Sequence, residues 1–492
     1  MAVKAIRLQN FMGFVDTGWI ELRPITLLFG RNSSGKSAII RALLLLRQSL
    51  ETAEGIGPLA FAAHNGADLG SFDRMVHILK NYDRDPDEKR NDDDDPGKLR
   101  QMTFGFRCNV PLGTISDLLT EDEKYDESLR DSDWPLDLSL SFQKKRDSRQ
   151  AELSAVLLEA PFSLHPDDPA RRTIFYAEPV DGEWIFTTQG DYQFYAPVDA
   201  TLPEEEQEWQ PILKIESGSG FLPKLMPAPR DDRENDFPSI STKFEKCRSA
   251  ITQLLDGKNL RYLGPIRYEP RRVYLASDLS SHQWEAKGQS AIKDFLLKDL
   301  TGKQKEKLDF WFHELGLSES LTPKRLVSIG IDEESSEAVQ LNFDEGGPIK
   351  SINIKDVGQG AAQVLPVVLQ TLFAPTGAFI IVEQPELHLH PEAQAILADL
   401  FISQIEQGQQ FLIETHSEHI LLRLLLRIAK GTPRYLEPNK QRDKTHCELD
   451  KLEFGLVFVT RDRKQGLSHT EWIQADEQGQ LKGLEPVRKL LT

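Results

Sequence analysis

Gly30-Arg31-Asn32-Ser33-Ser34-Gly35-Lys36-Ser37 is the stretch that decides the fold, because it fills every fixed position of the phosphate-loop pattern. An apolar run at residues 25–29 leads into it, and residues 38–50 follow with helical spacing. Glycines let backbone N–H groups turn towards a phosphate, while the lysine supplies counter-charge and the last serine offers a hydroxyl to Mg²⁺. Chance would produce this pattern in a chain of this length about 1% of the time. This phosphate loop (residues 30–37) therefore predicts a nucleotide site.

Two further apolar runs end in polar groups of the kind that act on a γ-phosphate. Residues 378–382 lead into Glu383-Gln384-Pro385-Glu386-Leu387-His388-Leu389-His390-Pro391, here named the acidic box. An apolar strand that ends in carboxylates can bring a Mg²⁺-organising acid and a water-activating acid to the phosphate. Residues 410–413 precede His416, which we interpret as a γ-phosphate sensor rather than an ordinary surface histidine. The expected ligands are ATP and Mg²⁺.

Composition excludes several classes of protein. The net charge of −18 removes a general attraction to nucleic acid, so any such contact would need a local basic patch or a partner. Three scattered cysteines, Cys108, Cys247 and Cys447, match neither a disulfide framework nor a zinc ribbon. No apolar stretch suits a signal peptide or reaches the about 20 residues of a membrane span. We therefore expect a cytoplasmic protein that does not contact a membrane.

The pattern along the chain predicts an α/β fold with N-terminal antiparallel strands and a parallel core sheet, split by a large insertion. Short alternating strands at about 100–255 favour an insertion with its own sheet, which follows a charged stretch at 81–99. Helical spacing returns at 241–255 and 291–315, and the tail alternates as strands at 456–460 and 470–475 around an EQGQ turn. The predicted parts are residues 1–80 (first part of the head), 81–255 (insertion), 256–435 (second part of the head) and 436–492 (strand-rich extension).

The order of these motifs resembles the ABC-type ATPase heads of RecF, SMC and OLD-like proteins. It is most similar to stand-alone bacterial AAA-family ATPases with an EQPELHLHP Walker B box, several of which serve in anti-phage defence, such as the Septu-type ATPase subunits. The resemblance covers the opening strands to about residue 79 and then about 259–425. It includes Asp68-Leu-Gly-Ser-Phe-Asp73, Tyr262-Leu-Gly-Pro-Ile-Arg267 and residues 355–366, which occupy the slot of the signature motif and are named the signature segment.

This resemblance implies that two heads pack head-to-tail around two ATP molecules, each held by one phosphate loop and the other chain's signature segment. On the matching positions, Gly358 and Gly360 would approach the partner's γ-phosphate. Glu383 and Ser37 would hold Mg²⁺, and His416 would act as the switch. The implied partners are a second copy, or a higher homo-oligomer, and a separate effector protein.

Two departures from the family pattern affect the expected chemistry. Ala361 replaces the signature serine, and Gln384 stands where related heads carry the catalytic glutamate. Glutamine can orient water but cannot accept its proton. Either Glu386 is the base, with Gln384 orienting the water, or hydrolysis is slow and the protein is an ATP-held clamp; we favour the first. A metal site at Glu386, His388 and His390 is less favoured, because a fourth ligand is missing.

Three functions follow as hypotheses. The leading one is an ATP-gated dimeric switch that serves as the ATPase subunit of an anti-phage defence system. The alternative is a DNA repair or recombination ATPase of RecF or SMC character, against which the net charge and the lack of coiled-coil heptads weigh. An OLD-type nuclease is disfavoured, since about 60 residues after the last head motif are too few for a Toprim domain.

Overall fold

The computed structural model describes most of the chain and divides it into two compact units. The first unit comprises residues 1–21, 37–257 and 461–470, and the second comprises 22–36, 258–460 and 471–492. Asp68, Cys447 and the charged stretch 81–99 lie outside the described residues. The described ranges are 2–51, 58–61, 69–77, 101–111, 133–145, 150–161, 171–180, 183–187, 195–197, 209–211, 213–216, 221–227, 237–267, 269–275, 288–297, 300–327, 337–344, 351–430 and 449–482.

The elements alternate in the manner of an α/β protein. The strands are β1 (Ala2–Phe11), β2 (Phe14–Asp16), β3 (Ile20–Glu21), β4 (Ile25–Phe29), β5 (Met102–Pro111), β6 (Asp133–Lys144), β7 (Ala151–Pro161), β8 (Arg171–Val180), β9 (Glu183–Thr187), β10 (Tyr195–Pro197), β11 (Trp209–Pro211), β12 (Leu213–Glu216), β13 (Lys224–Pro227), β14 (Leu260–Leu263), β15 (Tyr274–Leu275), β16 (Ser320–Val327), β17 (Glu337–Asp344), β18 (Ile352–Asn353), β19 (Phe379–Glu383), β20 (Gln410–Glu414), β21 (Phe454–Arg461) and β22 (Ser468–Ile473). The α-helices are α1 (Lys36–Glu51), α2 (Phe72–Met75), α3 (Phe237–Leu255), α4 (Gln289–Leu297), α5 (Gly302–Glu314), α6 (Gln359–Phe373), α7 (Pro391–Ile405) and α8 (Glu418–Lys430).

The first unit is built on one antiparallel sheet in the order β2-β1-β5-β6-β7-β8-β9, with β3 also pairing with β1. Because β5 pairs directly with β1, placing Phe106 opposite Ile6, the long strands after residue 100 extend the sheet that the N-terminus begins. The expectation that they form a sheet of their own is wrong. The alternation in β5 buries Phe104, Phe106 and Cys108, and this one-sided apolar face lets it share the layer of β1.

The second unit contains the core sheet, in the order β14-β19-β20-β4-β21-β22. The pairs β14·β19, β19·β20, β20·β4 and β4·β21 are all parallel. Every residue of β4 and β19 is buried, as expected for parallel strands covered on both faces. In the register of the sheet, Glu383 lies beside Glu414, and Glu414 lies beside Leu28. The strand ends that carry the predicted site therefore meet at one edge, which confirms the predicted fold class.

Two predicted boundaries are wrong. The helical pattern at 291–315 forms two helices, α4 and α5, because Thr301 starts a new helix with a reciprocal capping box to Gln304. In the tail, β21 and β22 are joined by a turn in which Gly466 N–H donates to Asp462 O over 2.8 Å. The EQGQ residues form a separate turn after β22, closed by the bond from Asp476 N–H to the carbonyl of Gln480.

Helices α7 and α8 of the second unit are joined by a buried ionic cluster. Asp399 on α7 is 1% exposed, and its carboxylate accepts hydrogen bonds from the guanidinium groups of Arg423 and Arg427 on α8. The shortest contacts are 2.6 Å to Arg423 and 2.7 Å to Arg427. Among the helices in the described ranges, none combines the length and apolar character that a membrane crossing requires.

Candidate functional site

The phosphate loop leaves the end of β4 and enters α1 through backbone conformations that favour glycine. Gly30 has φ +148° and Gly35 has φ +116°, and Ser33 between them is also left-handed at +61°. A side chain at Gly30 would collide with the main-chain oxygen of Val459, at the end of β21. Glycine is therefore required at the first loop position both for its φ angle and for close packing against the neighbouring strand.

The side chain of Lys36 folds back onto the first residues of the phosphate loop. Its ammonium donates to the carbonyl oxygens of Gly30 and Arg31, both over 2.9 Å, and lies 4.0 Å from Glu414 Oε1. The residue is only 3% exposed. Burial lowers the pKa of Lys36, and the charges of Glu414, Glu386 and Glu383 oppose this shift. The predicted phosphate-binding cation thus lies within reach of three carboxylates.

The remaining loop residues divide into exposed and buried positions. Arg31, Asn32 and Ser33 are exposed, and Ser37 is the second residue of α1. Ser34 is buried, and its hydroxyl has no hydrogen-bond partner among the described residues. A buried polar atom without a partner is uncommon in folded proteins, and a bound anion at the loop would supply one.

Glu383 ends β19, next to Glu414 at the end of β20. Its carboxylate is buried and accepts a hydrogen bond of 2.6 Å from the hydroxyl of Tyr262. Tyr262 lies on β14, the neighbouring strand, opposite Ile381 in the register of the sheet. The hydrogen bond from Tyr262 therefore holds the carboxylate of Glu383, the predicted Mg²⁺-organising residue, in one orientation.

The turn after Glu383 has an unusual backbone. Gln384 has φ +47°, although it is not glycine, and its N–H donates to the carbonyl of Glu414 over 2.6 Å. Arg267 donates to two consecutive carbonyls on the other side, to Glu383 O over 2.6 Å and to Gln384 O over 2.9 Å. Burial lowers the pKa of Arg267 to about 10, opposed by the charges of Glu386 and Glu383.

Glu386, the proposed base, is 9% exposed. Its Oε1 accepts a 2.8 Å hydrogen bond from the backbone N–H of His416, whereas its Oε2 is buried without a partner in the described part of the chain. Burial raises the pKa of Glu386, and the His416 N–H opposes the shift. A desolvated carboxylate with one free oxygen is a stronger base than an exposed one, so this arrangement suits proton abstraction.

His416 follows β20 by two residues and is partly buried. Burial and the nearby positive charge of Lys36 lower its pKa, and the backbone of Gly30 opposes this shift. The next residue, Ser417, accepts a hydrogen bond of 3.1 Å from Ile420 N–H and so caps the start of α8. His416, the predicted switch residue, thus lies between the phosphate loop and the start of α8.

The signature segment begins in a short 3₁₀ helix, Ile354–Asp356, and continues as α6. Gly358 is exposed at the N-cap of α6, with open space where a side chain would stand. A Cβ at Gly360 would lie 2.5 Å from the carbonyl oxygen of His388, so this glycine packs against the acidic box. A cavity of about 400 Å³ lies here, lined by Lys355, Gln359 and His388 among others.

The structure thus brings Lys36, Glu383, Glu386 and His416 together, while Gly358 and Gly360 lie at the start of α6. His388 and His390 are exposed, and within the described ranges no group of three or more His, Cys, Asp or Glu side chains could hold a metal ion by itself.

The residues present fit ATP with Mg²⁺. The unpartnered hydroxyl of Ser34 and the unpartnered Oε2 of Glu386 would gain polar contacts from phosphate and water. Three buried carboxylates also outnumber the two buried cations, Lys36 and Arg267, which favours a divalent cation at the same place. Ser37 and Glu383 are the residues that would hold Mg²⁺.

Sequence reasoning missed Arg267 and Tyr262 as parts of this site, although both lie in a motif that it noted. The available signal was the position of the motif: residues 260–263 form a short stretch with a leucine at each end, and a Gly-Pro pair carries the chain past its end. As in the neighbouring parallel strands, groups that follow such a run lie at the edge where the ligand binds.

Comparison with known proteins gives one family and several distant structural likenesses. No curated protein matches the chain. A SmcHead bound to the C-winged helix domain of ScpA is 12% identical with a TM-score of 0.38, covering 99% of this chain and 100% of its own. The SMC head domain from Thermotoga maritima is 8% identical with a TM-score of 0.34, covering 96% and 100%. A Smc head domain with an extended coiled coil, bound to the C-terminal domain of ScpA derived from Pyrococcus furiosus, is 10% identical with a TM-score of 0.39, covering 100% and 98%.

The fold is defined by the order of the strands and by the family match, not by these distant likenesses. Residues 25–422 match the family described as "AAA domain, putative AbiEii toxin, Type IV TA system". This range begins at β4 and ends within α8, so it contains the phosphate loop, the signature segment, the acidic box and His416. The chain therefore belongs to this family of AAA domains, as its resemblance to AAA-family ATPases predicts.

Proposed function

We propose that this chain binds and hydrolyses ATP with Mg²⁺, and that ATP closes two copies head-to-tail into a switch that controls a separate effector. The observation that carries the proposal is the cluster at the carboxyl ends of β4, β19 and β20. There the buried Lys36 faces Glu383, Glu386 and Glu414, and His416 N–H reaches Glu386 over 2.8 Å. A phosphate-binding cation beside a buried carboxylate base is the minimum that hydrolysis of a γ-phosphate requires.

Each residue has a distinct part in the proposed reaction. The backbone N–H groups of the phosphate loop and the ammonium of Lys36 bind the β- and γ-phosphates. Glu386 takes the proton from the attacking water through its free Oε2, and Gln384 orients that water. Bound Mg²⁺, held by Ser37 and Glu383, would neutralise negative charge on the phosphates.

A route from the site to the surface of the second unit runs through His416. The backbone N–H of His416 holds Glu386, and the adjacent Ser417 caps α8. A γ-phosphate that displaces His416 would act on both the base and the first turn of α8. The replacement of ATP by ADP would therefore change the conformation of the first turn of α8, and an effector could respond to that change.

The exposed N-cap of α6 supports a contact with a second copy. Gly358 leaves the first N–H groups of α6 open, and a helix N-terminus attracts phosphate. With Ala361 in place of a serine, main-chain groups rather than a hydroxyl would supply this contact. The signature segment of one copy would therefore complete the ATP site of the other.

The biological setting that we propose is anti-phage defence in the cytoplasm. The matching family is described as a putative toxin of a type IV TA system, and that description is compatible with a defence role. The net charge of −18 disfavours an autonomous DNA-binding ATPase. An effector protein that responds to the closed dimer would complete the system.

The test is nucleotide-dependent dimerisation, measured by light scattering with a non-hydrolysable ATP analogue and Mg²⁺. Gly358→Asp should abolish the dimer, because a carboxylate placed against the γ-phosphate repels it across the interface. The matched control is Gly302→Asp, an exposed glycine at the first position of α5 with equally open space. The control should dimerise like the unmodified chain.

A constitutive dimer that ignores both ATP and Gly358→Asp would refute the switch. Nanomolar binding of duplex DNA by the isolated chain at physiological salt would favour the repair function instead, since specific DNA-binding proteins reach that range.

A further inference from the structure

We propose that Arg267 and Tyr262 are positioning residues of the hydrolytic site. Arg267 fixes the main chain of the acidic box at Glu383 and Gln384, and Tyr262 fixes the carboxylate of Glu383. Neither residue belongs to the phosphate loop, the acidic box or the signature segment. The inference rests on the proposed hydrolysis of ATP and identifies what holds its catalytic groups in place.

The geometry of Arg267 is that of a clamp on the main chain. The side chain is 4% exposed, and two of its nitrogens donate to consecutive carbonyl oxygens, those of Glu383 and Gln384, over 2.6 and 2.9 Å. A planar guanidinium presents donors in a fixed fork, so two bonds to adjacent peptide groups set both the position and the orientation of that stretch. A single-point donor would set only its position.

The acidic box needs such a clamp because its backbone is strained. Gln384 has φ +47°, a conformation that side chains other than glycine adopt at a cost. Strained residues persist where surrounding contacts over-determine them, and here the N–H of Gln384 is held by Glu414 while its carbonyl is held by Arg267. Without Arg267, we expect the turn to relax and to carry Gln384 and Glu386 away from the γ-phosphate.

The charge of Arg267 favours a functional role over a purely structural one. Burying a guanidinium to 4% exposure is unfavourable unless its charge and donors are satisfied. A well-packed apolar side chain of similar volume often stabilises a fold as well as a buried ion does, or better. The cation, however, lies beside Glu383 and Glu386 and holds the carbonyls between them, which an apolar side chain could not do.

The segment that follows Arg267 contacts the signature segment through two ion pairs. Glu269, two residues later, forms an ion pair of 2.8 Å with Lys355, and Arg272 pairs with Asp356. Both pairs are exposed, and exposed ion pairs contribute little to stability. The clamp on the acidic box therefore depends on the buried Arg267 itself.

Tyr262 acts on the side chain rather than on the backbone. Its hydroxyl donates 2.6 Å to Glu383 Oε1, from the strand that pairs with β19. A hydrogen bond to one carboxylate oxygen restricts the rotation of the carboxylate group. Supporting bonds of this kind to metal-binding carboxylates tune metal affinity.

The test compares Arg267→Met, Arg267→Lys and Tyr262→Phe with the unmodified chain. Arg261→Met is the matched control, because Arg261 lies on the same β14 but contacts Asp294 at 3.5 Å, outside the site. Two quantities are measured for each variant: single-turnover phosphate release and the affinity for a non-hydrolysable ATP analogue, with and without Mg²⁺. Thermal unfolding of each variant identifies any loss of the fold.

For Arg267→Met we expect phosphate release to fall by about 10²-fold, the effect of a misplacement of about 1 Å, while analogue affinity changes by less than about threefold. Arg267→Lys keeps a donor and a charge and should recover about tenfold of that loss. Tyr262→Phe should lower the gain in affinity that Mg²⁺ provides by about 10-fold. Arg261→Met should leave both quantities unchanged.

Unaltered phosphate release in Arg267→Met would overturn the clamp, and so would equal losses of rate and affinity in both Arg267 variants. If the unmodified chain binds the analogue but releases no phosphate, the proposed hydrolysis fails. The Mg²⁺ readout then decides the positioning role. A loss of Mg²⁺-dependent affinity in Tyr262→Phe, with Arg261→Met unchanged, supports it, and an unchanged dependence in Tyr262→Phe refutes it.

Discussion

The phosphate loop and the acidic box lie at the same edge of the core sheet, but they reach their conformations in different ways. In the loop, positive φ angles fall mainly on glycines, Gly30 and Gly35. In the acidic box they fall on Gln384 and His388, which lack that freedom. The backbone conformation of the loop is therefore favoured by its own glycines, whereas that of the box is supported by distant residues such as Arg267.

This difference separates two tasks. The phosphate loop binds a phosphate mainly through its main-chain N–H groups and one lysine. Substitutions in the loop should therefore mainly change nucleotide affinity. In the proposed reaction the acidic box must place a base and a water to within a fraction of an ångström, so the residues that support it should mainly affect the rate. Substitutions in the two regions should therefore affect different measured quantities.

The largest effect is expected from Glu386→Gln in the acidic box. Removing the proton acceptor should lower single-turnover phosphate release by about 10²–10⁴-fold while ATP still binds. Gln384→Glu should change the rate little, because Glu386 is the base in the proposed reaction. Full activity in Glu386→Gln would show that Glu386 is not the base, and clearly faster turnover in Gln384→Glu would indicate a slow clamp.

A smaller effect, on affinity rather than rate, is expected from Lys36→Ala in the phosphate loop. Charge-assisted hydrogen bonds contribute about 1.5–3 kcal/mol each, and 1.4 kcal/mol corresponds to tenfold, so ATP affinity should fall by about 10²-fold or more. Calorimetric titration measures it, with Lys214→Ala, an exposed lysine of β12, as the control. An affinity equal to that of the control would mean that the loop does not bind nucleotide.

The smallest effect concerns stability and tests the comparison most directly. Gly30→Ala should lower the free energy of unfolding by about 1–3 kcal/mol, because a methyl group meets the carbonyl of Val459. Gln384→Gly relieves backbone strain of about 1–2 kcal/mol but adds about 0.5–1 kcal/mol of chain entropy, so stability should stay unchanged or rise by up to about 1.5 kcal/mol. Denaturation in urea compares the two variants. A neutral Gly30→Ala would show that the loop is no more constrained than the box.

The sequence predicts the parts of the site that are local in the chain. The loop glycines, the strands β4, β19 and β20, and the polar residues at their ends follow from short motifs and apolar runs. The parallel arrangement then brings those ends together at one edge. The family match over residues 25–422 confirms the resemblance drawn from these motifs.

What the sequence did not predict depends on pairings between distant residues. Arg267 and Glu383 are separated by 116 positions, and only the pairing of β14 with β19 brings them together. The same limit applies to β5, whose alternation indicates a strand with one buried face but not the sheet that it joins. Short-range patterns specify elements, and partner choice is decided by the whole core.

The buried Asp399 gives helices α7 and α8 the mechanics of a lever. Sliding α8 by one turn, about 5.4 Å, would remove one of the two guanidinium partners of the buried Asp399, because Arg423 and Arg427 are themselves about one turn apart. Tilting α8 about Asp399 would keep the ion pairs to both Arg423 and Arg427. With 13 residues, α8 is about 20 Å long, and the pivot lies nearer to Lys430 than to Ser417, so a small displacement at Ser417 would reappear at Lys430 reversed in direction and somewhat smaller.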